Sequence, residues 1–342
     1  MTTIVLFGGP SDERQVSVAS AQNVVRTLGP EVLAWFWAPE GAVHDVAQSD
    51  LLAHERPFER DFIPARPAIF PTIEQALDTV PVDDPVFFLA LHGTAGEDGT
   101  LQAMLEARGL PFTGSGSEAS AAAFDKDRGK EKVRGHVRLA ESRVMRTATE
   151  VRNTVSDMLS RHERIVLKPL AGGSSRGLFF LGRDGDIEGT IQKVLAVRVP
   201  YIAEQFVAGR ELTVGILDQG NGPFALPVIE IEVDAGHSFD YAGKYLGEGT
   251  REICPANIPD AMAQEAQTTA LAAHVALGCE GYSRSDVIAT ADGIYFLETN
   301  TLPGLTTSSL VPQELREAGI GFREFLEQQI ALARERTRTA AA

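Results

Sequence analysis

Val86-Phe87-Phe88-Leu89-Ala90-Leu91-His92-Gly93 is the stretch on which the fold turns. An unbroken run of six apolar residues is the pattern of a strand buried on both faces, as in a parallel sheet covered by helices. His92 and Gly93 follow directly at its carboxyl end, where open α/β sheets collect their ligands. Upstream, Ile4-Val5-Leu6-Phe7 reads as a second such strand and Gly8-Gly9-Pro10-Ser11 as a turn. From about Glu13 to Leu28, Val16, Ala19, Val24 and Leu28 recur at helical spacing. Residues 38–85 are Pro-rich and weakly periodic, and no element is predicted there.

Downstream, a helix from about Gly99 to Arg108 and the turn-rich Thr113-Gly114-Ser115-Gly116-Ser117 close a first lobe, residues 1–118. A second lobe, 119–205, holds the strand Ile165-Val166-Leu167-Lys168-Pro169 and the loop Gly172-Gly173-Ser174-Ser175-Arg176-Gly177. The third, 206–342, holds strands near Glu211–Ile216 and Val228–Val233 and a polar, Gly-rich segment up to Thr250. A helix follows from Pro259 to Gly278, then Ser283-Arg284-Ser285-Asp286-Val287, the strand Ile294-Tyr295-Phe296-Leu297 and a C-terminal helix after Pro312. No internal repeat, heptad run or low-complexity tract interrupts this α/β order.

The bulk numbers agree with several lobes. At 342 residues and 44% hydrophobic content the chain exceeds what one core usually serves. The 31 Lys+Arg against 47 Asp+Glu give a net charge of -16, which repels a phosphate backbone and argues against nucleic acid as a partner. No basic flank precedes the first strand and no run of 18 apolar residues occurs, so a cytoplasmic protein without a membrane partner is expected. Two cysteines, Cys254 and Cys279, are too few for a disulfide framework and read as packing residues. The seven histidines include no pair at the helical spacing of a metal site.

The most informative constellation is Asp286 with Glu298 and Asn300, hard oxygen donors on two neighbouring strands. Alternation puts Glu298 and Asn300 on one face, where they can converge on a cation such as Mg²⁺; solvated strand-end acids are the competing reading. The glycine- and serine-rich loop after Lys168 can cradle an anion, although no P-loop spacing is present and an ordinary flexible loop would read the same. Lys126, Lys168 and Lys244 lie in three different segments beside turns or strand ends. An acidic protein that handles a nucleotide needs cations so placed. Arg284, two residues before Asp286, points to the same face; it can serve a carboxylate or oxyanion, or simply pair with Asp286. His92 is open to proton transfer or to a structural place at a strand end.

Taken together these residues resemble the ATP-grasp superfamily, and more narrowly the D-alanine:D-alanine ligases. The resemblance runs from Leu6-Phe7-Gly8-Gly9-Pro10-Ser11-Asp12-Glu13 through His92-Gly93-Thr94-Ala95-Gly96-Glu97-Asp98-Gly99, Asp125-Lys126 and Lys168-Pro169. It continues through Lys244-Tyr245, Cys254-Pro255-Ala256, Arg284-Ser285-Asp286 and Glu298-Thr299-Asn300-Thr301-Leu302-Pro303-Gly304 to Ser308-Ser309-Leu310-Val311-Pro312. It implies a three-lobed ATP-grasp architecture with an N-terminal Rossmann-like parallel layer. ATP would lie between the second and third lobes, with Lys126 and Lys168 on its phosphates and Lys244 reaching the γ-phosphate from a mobile loop at about 236–250. Glu204 and Val207 match the stretch that holds adenine, and Glu211 the ribose-binding acid. Asp286, Glu298 and Asn300 match the ligands of Mg²⁺, with Mn²⁺ as a substitute.

The implied chemistry is phosphorylation of one D-alanine carboxylate and attack by the amine of a second, for peptidoglycan precursor synthesis. Arg284 and the Gly304 N–H match the pair that stabilises the oxyanion, and Ser309 and Leu310 the site of the second carboxylate. Glu13 matches the holder of the first ammonium and, with Ser174 and Tyr245, a triad that fastens the mobile loop; His92 matches a residue near that substrate. Relatives of this kind are commonly homodimers, and a homodimer is the expectation. Two departures stand out. Arg176 replaces a small apolar residue, and the loop around Phe239, Ala242 and Gly243 lacks an acid and an aromatic hydroxyl before Lys244. A paralogue that joins another amino acid pair, or a nucleotide-binding regulator without catalysis, is the alternative. A nicotinamide dehydrogenase is disfavoured, because Gly8-Gly9-Pro10-Ser11-Asp12 lacks the spaced glycines of the dinucleotide fingerprint.

Overall fold

The computed structural model describes residues 2–173, 177–233 and 249–340, with side chains as far as Thr337. The first layer is built from β1 (Thr2–Gly8), α1 (Arg14–Leu28), β2 (Leu33–Trp37), β3 (Val43–Val46), α2 (Gln48–Ala53), α3 (Ile73–Asp78), β4 (Pro85–Leu89) and α4 (Thr100–Glu106). The order across its sheet is β3-β2-β1-β4. β1 runs parallel to both β2 and β4, and only the edge strand β3 is antiparallel. The two apolar runs are thus neighbours, with Ile4 opposite Phe87 and Leu6 opposite Leu89. Both are fully buried because α1 covers one face and aromatic residues such as Trp35 and Phe62 fill the core.

Residues 38–85 are not structureless: β3, α2 and α3 lie there. Each is four to six residues long, too short to show a helical or strand period in sequence.

Next come α5 (Ser117–Phe124), α6 (Lys126–Val133), β5 (Arg138–Leu139), β6 (Ser142–Met145), α7 (Ala148–Arg161), β7 (Arg164–Pro169), β8 (Phe179–Gly182), α8 (Ile187–Val197) and β9 (Tyr201–Gln205). β6-β9-β7-β8 form an antiparallel sheet. α7 packs on it through Val151, Val155 and Met158, and begins with a capping box between Thr147 and Glu150. The residues before β6 do not join this sheet. β5 pairs with a strand of the third sheet, and Ala122 and Val133 of α5 and α6 share a small core with Leu277 and Phe296.

The remainder comprises β10 (Arg210–Asp218), β11 (Pro223–Ala225), β12 (Ile229–Val233), β13 (Thr250–Ile253), α9 (Asp260–Leu277), β14 (Tyr282–Thr290), β15 (Gly293–Asn300), α10 (Leu310–Glu317) and α11 (Phe322–Ala340). The third sheet runs β13-β12-β10-β14-β15-β5, with β11 on β10. One face carries Leu212, Val214, Val287 and Ile294 against Ala266 and Ala270 of α9. Small residues at one helical stripe let α9 lie close to the strands.

Where one C-terminal helix is predicted after Pro312, the chain forms two. Pro312 sits within the first turn of α10, where its missing N–H costs nothing. α11 returns to the first layer and buries Phe325, Leu326 and Ala333 in that core. Both cysteines are packing residues: burial pushes the thiols of Cys254 and Cys279 up to about 12, far from the range of a reactive thiolate.

Candidate active site

Alternation along the third sheet decides the site. The face opposite α9 carries a row that crosses four strands, Ile229, Thr213, Asp286 and Glu298, each opposite the next. The next row on the same face is Gly215, Arg284 and Asn300. The charges of this face turn toward the second sheet, and between the two lies a cleft of about 970 Å³, at the upper end of the range for ligand pockets. Asp286, Glu298, Glu211, Lys126, Lys168 and Glu204 line it, and Glu13 and Gly93 of the first layer wall one end.

Glu13 is the N-cap residue of α1. Gly93 has φ +72°, and a Cβ there would meet Ser11 Oγ at 2.1 Å and Glu13 Oε2 at 2.9 Å. Only glycine lets the end of β4 approach Glu13 so closely. An added Cβ on Gly173 would also come within 3.3 Å of the Glu13 carboxylate, so Glu13 stands between the first layer and the glycine-rich loop.

Arg284 makes the pairing with Asp286 that its spacing allowed. Its Nε and Nη2 donate to Asp286 Oδ1 and Oδ2, each at 2.9 Å, and Thr213 Oγ1 donates to Oδ1 at 2.7 Å. The planar fork and the carboxylate hold each other rigidly. Glu298 projects farther into the cleft, 3.5 Å from Lys126 Nζ. Asn300 Oδ1 accepts the Leu302 N–H at 2.9 Å, so that side chain also shapes the turn after β15.

The cations gather around Glu204. Lys168 Nζ donates to Glu204 Oε2 at 3.0 Å. Lys130 Nζ lies 3.2 Å from Oε1, an ion pair without hydrogen-bond alignment. Burial by itself would raise the Glu204 carboxyl, but the two lysines outweigh it and hold it below its ordinary value. Burial would lower the Lys168 ammonium, but Glu204, Glu298 and Glu211 push it upward. Lys130 is lowered, because its desolvation exceeds the attraction of Glu204.

Sequence reading missed Lys130. It follows Lys126 by four residues and so shares its helix face, yet α6 is polar and looks solvated; only its partner from β9 reveals the burial. Lys126 Nζ donates to the Gly172 carbonyl at 2.8 Å, which ties α6 to the glycine-rich loop.

Val207 lines the cleft together with Glu204. Gly304 lies in the loop between β15 and α10, where a Cβ would strike Ser309 Oγ at 2.7 Å. Ser309 is the N-cap residue of α10, its Oγ accepts the Thr306 N–H at 3.1 Å, and Leu310 packs beside Ile229 and Ile231. His92 is buried at 4% exposure, behind the cleft wall, with Nε2 3.0 Å from Ser20 Oγ and Nδ1 3.5 Å from Glu97 Oε1. Ser174, Lys244 and Tyr245, together with Arg176, Phe239, Ala242 and Gly243, lie outside the described residues.

The chain matches the D-ala D-ala ligase N-terminus over residues 2–115 and the D-ala D-ala ligase C-terminus over residues 136–331. It belongs to the D-Ala–D-Ala ligase family. The D-alanine–D-alanine ligase of Cupriavidus metallidurans is 36% identical over 335 residues, covering 96% of this chain and 90% of that one. A D-Ala:D-Ser ligase from Enterococcus faecalis superposes with a TM-score of 0.79 at 26% identity, covering 97% of this chain and 99% of that chain. The ligase of Bacillus anthracis, crystallised in complex with ATP, shares the fold with a TM-score of 0.74 at 24% identity and 99% coverage of both chains. The architecture is that of the ATP-grasp ligases in this family. The strand pair that bears Asp286 and Glu298 and the loop that bears Gly304 both fall within the matched C-terminal region.

Proposed function

We propose that the protein uses ATP to join two molecules of D-alanine into D-alanyl-D-alanine, the dipeptide of peptidoglycan precursors. The observation that carries this reading is the row Thr213-Asp286-Glu298 facing Lys126 and Lys168 across one cleft, with Glu13 at its end. Cations for a polyphosphate and oxygen donors for a metal stand together there, beside a carboxylate suited to an ammonium.

Asp286 and Glu298 fit Mg²⁺, and Mn²⁺ in its place. They are hard oxygen donors in directly opposed positions, about 5 Å apart at Cβ, and both open to the cleft. Asn300 would complete the set from the same face. When bound, the ion offsets charge on the transferred phosphoryl group.

The residues then divide the work. Glu13 holds the ammonium of the first D-alanine, so that its carboxylate oxygen attacks the γ-phosphorus of ATP as the bond to ADP breaks. Lys168, kept cationic by its acidic neighbours, balances the phosphate charge together with Lys126; Glu204, Val207 and Glu211 hold adenine and ribose. The amine of the second D-alanine, its carboxylate at the N-terminus of α10 by Ser309 and Leu310, attacks the carbonyl carbon of the acyl phosphate, and its proton leaves with the departing phosphate. Arg284 and the Gly304 N–H receive the oxyanion before phosphate departs. Ser174, Lys244 and Tyr245 lie outside the described residues; the resemblance assigns them to ATP and to fastening the site, and shielding the acyl phosphate from water is the task such residues serve.

A division into lobes at 1–118, 119–205 and 206–342, in which α5, α6 and β5 pack against the third lobe, belongs to the same proposal, with a cytoplasmic homodimer as the working form. The test is ADP release with ATP, Mg²⁺ and a panel of D- and L-amino acids, with products identified by mass. D-alanine alone should drive turnover and give its dipeptide; an inert D-alanine beside another ligated pair would overturn the assignment.

A further inference from the structure

The loop bearing Gly304 leaves the third sheet after Asn300 but packs into the first layer. Leu302 and Leu305 are buried among the residues of that core. Helix α1 grips the backbone of Leu305 from both sides: its N–H donates to Ser20 Oγ at 3.2 Å, and its carbonyl accepts from Asn23 Nδ2 at 2.8 Å. Ser17, on the same stripe of α1, anchors the helix to the sheet. It accepts the Gly8 N–H at 2.7 Å and donates to the Ala90 carbonyl at 2.5 Å. At about 1.5 Å of rise per residue, Ser20 and Asn23 stand roughly 10 and 15 Å along the axis from Glu13. One rigid helix therefore spans the ammonium holder and the loop of the oxyanion donor.

We infer that Ser20 and Asn23 are positioning residues that fix the direction of the Gly304 N–H toward the oxyanion, with His92 and Glu97 orienting Ser20. The inference rests on the ligase reading above. Glycine has the freest backbone of any residue, yet an oxyanion donor works only when its direction is fixed before the charge develops. Gly304 cannot gain rigidity from a side chain, since a Cβ would strike Ser309 Oγ at 2.7 Å. Its restraint comes from its neighbours instead. Pro303 has a locked φ on one side, and the clamped amide of Leu305 limits rotation on the other.

Ser20 Oγ accepts the Leu305 N–H and also lies 3.0 Å from His92 Nε2, whose other ring nitrogen is 3.5 Å from Glu97 Oε1; in the tautomer protonated at Nδ1 the Ser20 hydroxyl donates to Nε2 while the ring N–H faces Glu97. The chain Glu97-His92-Ser20-Leu305 thus gives His92 a task without substrate contact.

The test uses the full chain with Asn23→Ala and Ser20→Ala. It compares kcat, the KM for ATP, thermal stability and the affinity for a phosphinate dipeptide in which tetrahedral phosphorus replaces the attacked carbon. Loss of a fixed donor direction should lower kcat by about 10- to 100-fold and weaken the phosphinate by the same factor, while the KM for ATP stays within about twofold. A clamp that served folding alone would lower the melting temperature and leave kcat per folded molecule and phosphinate affinity unchanged. That result in both variants would overturn the inference. A wild-type enzyme that ligates a pair other than D-alanine would defeat the substrate assignment instead, and the same variants would then be measured with that pair.

Discussion

The first and third sheets are both covered on two faces, but by different materials. In the first, Val5, Leu6, Phe87 and Phe88 are fully buried within a core of apolar side chains. In the third, Val214 and Val287 are equally buried on the α9 face, while the opposite face carries Thr213, Arg284, Asp286 and Glu298. The first sheet is a platform whose residues hold the fold, and in the proposed function the third gives one face to chemistry. Substitutions should therefore separate into losses of stability and losses of rate according to the sheet they strike.

The largest effect should come from the charged face. Asp286→Asn removes an oxygen donor and loosens Arg284 together, and kcat should fall by about 10³-fold or more. A melting temperature within a few degrees of wild type would accompany it; an equal loss of folding would erase the contrast. Phe87→Ala probes the other side. It opens a cavity in the first core and should cost about 3–5 kcal/mol in denaturant unfolding, with the KM for ATP unchanged in the remaining folded enzyme.

Lys130→Met tests whether a buried charge behind the cleft belongs to the functional side. It should raise the KM for ATP by about tenfold, through an effective Glu204 side-chain interaction worth about 1–2 kcal/mol. The effect should largely vanish in a Glu204→Gln background, and additive effects would show that Lys130 acts independently.

The smallest effect concerns Glu314 of α10, fully buried, with Oε1 accepting the Gly215 N–H at 2.7 Å and Oε2 without a hydrogen-bond partner among the described residues. Burial raises its carboxyl well above the ordinary 4.5. A folded pKa above the unfolded one gives a stability contribution that is complete below about 4.5 and lost as pH rises through the folded value. Glu314→Gln should therefore gain on wild type by about 1 kcal/mol or more between pH 5 and pH 8, and a difference independent of pH would contradict this.

What could be read in sequence follows the same division. β1 and β4 were legible because an unbroken apolar run has few other meanings, and α9 because Pro259 and Gly278 punctuate it. β3, α2 and α3 were not, since four to six residues cannot display a period. On the site face, alternation placed Glu298 and Asn300 together, and the pairing of Arg284 with Asp286 was one of two readings the spacing allowed. Lys130 was illegible because the carboxylate that buries it arrives from β9, more than seventy residues away in sequence. Ser20 and Asn23 looked like ordinary helix positions, because their partner Leu305 lies at the far end of the chain. Local pattern reveals elements and same-face pairs; contacts between lobes must be seen.

The most direct measurement follows the oxygen. D-alanine labelled with ¹⁸O in its carboxylate, incubated with the enzyme, ATP and Mg²⁺, should pass one labelled oxygen into the released phosphate for each dipeptide formed, because the acyl phosphate breaks at its carbonyl carbon. Dipeptide formation with unlabelled phosphate would contradict the acyl phosphate route and, with it, the roles given to this cleft.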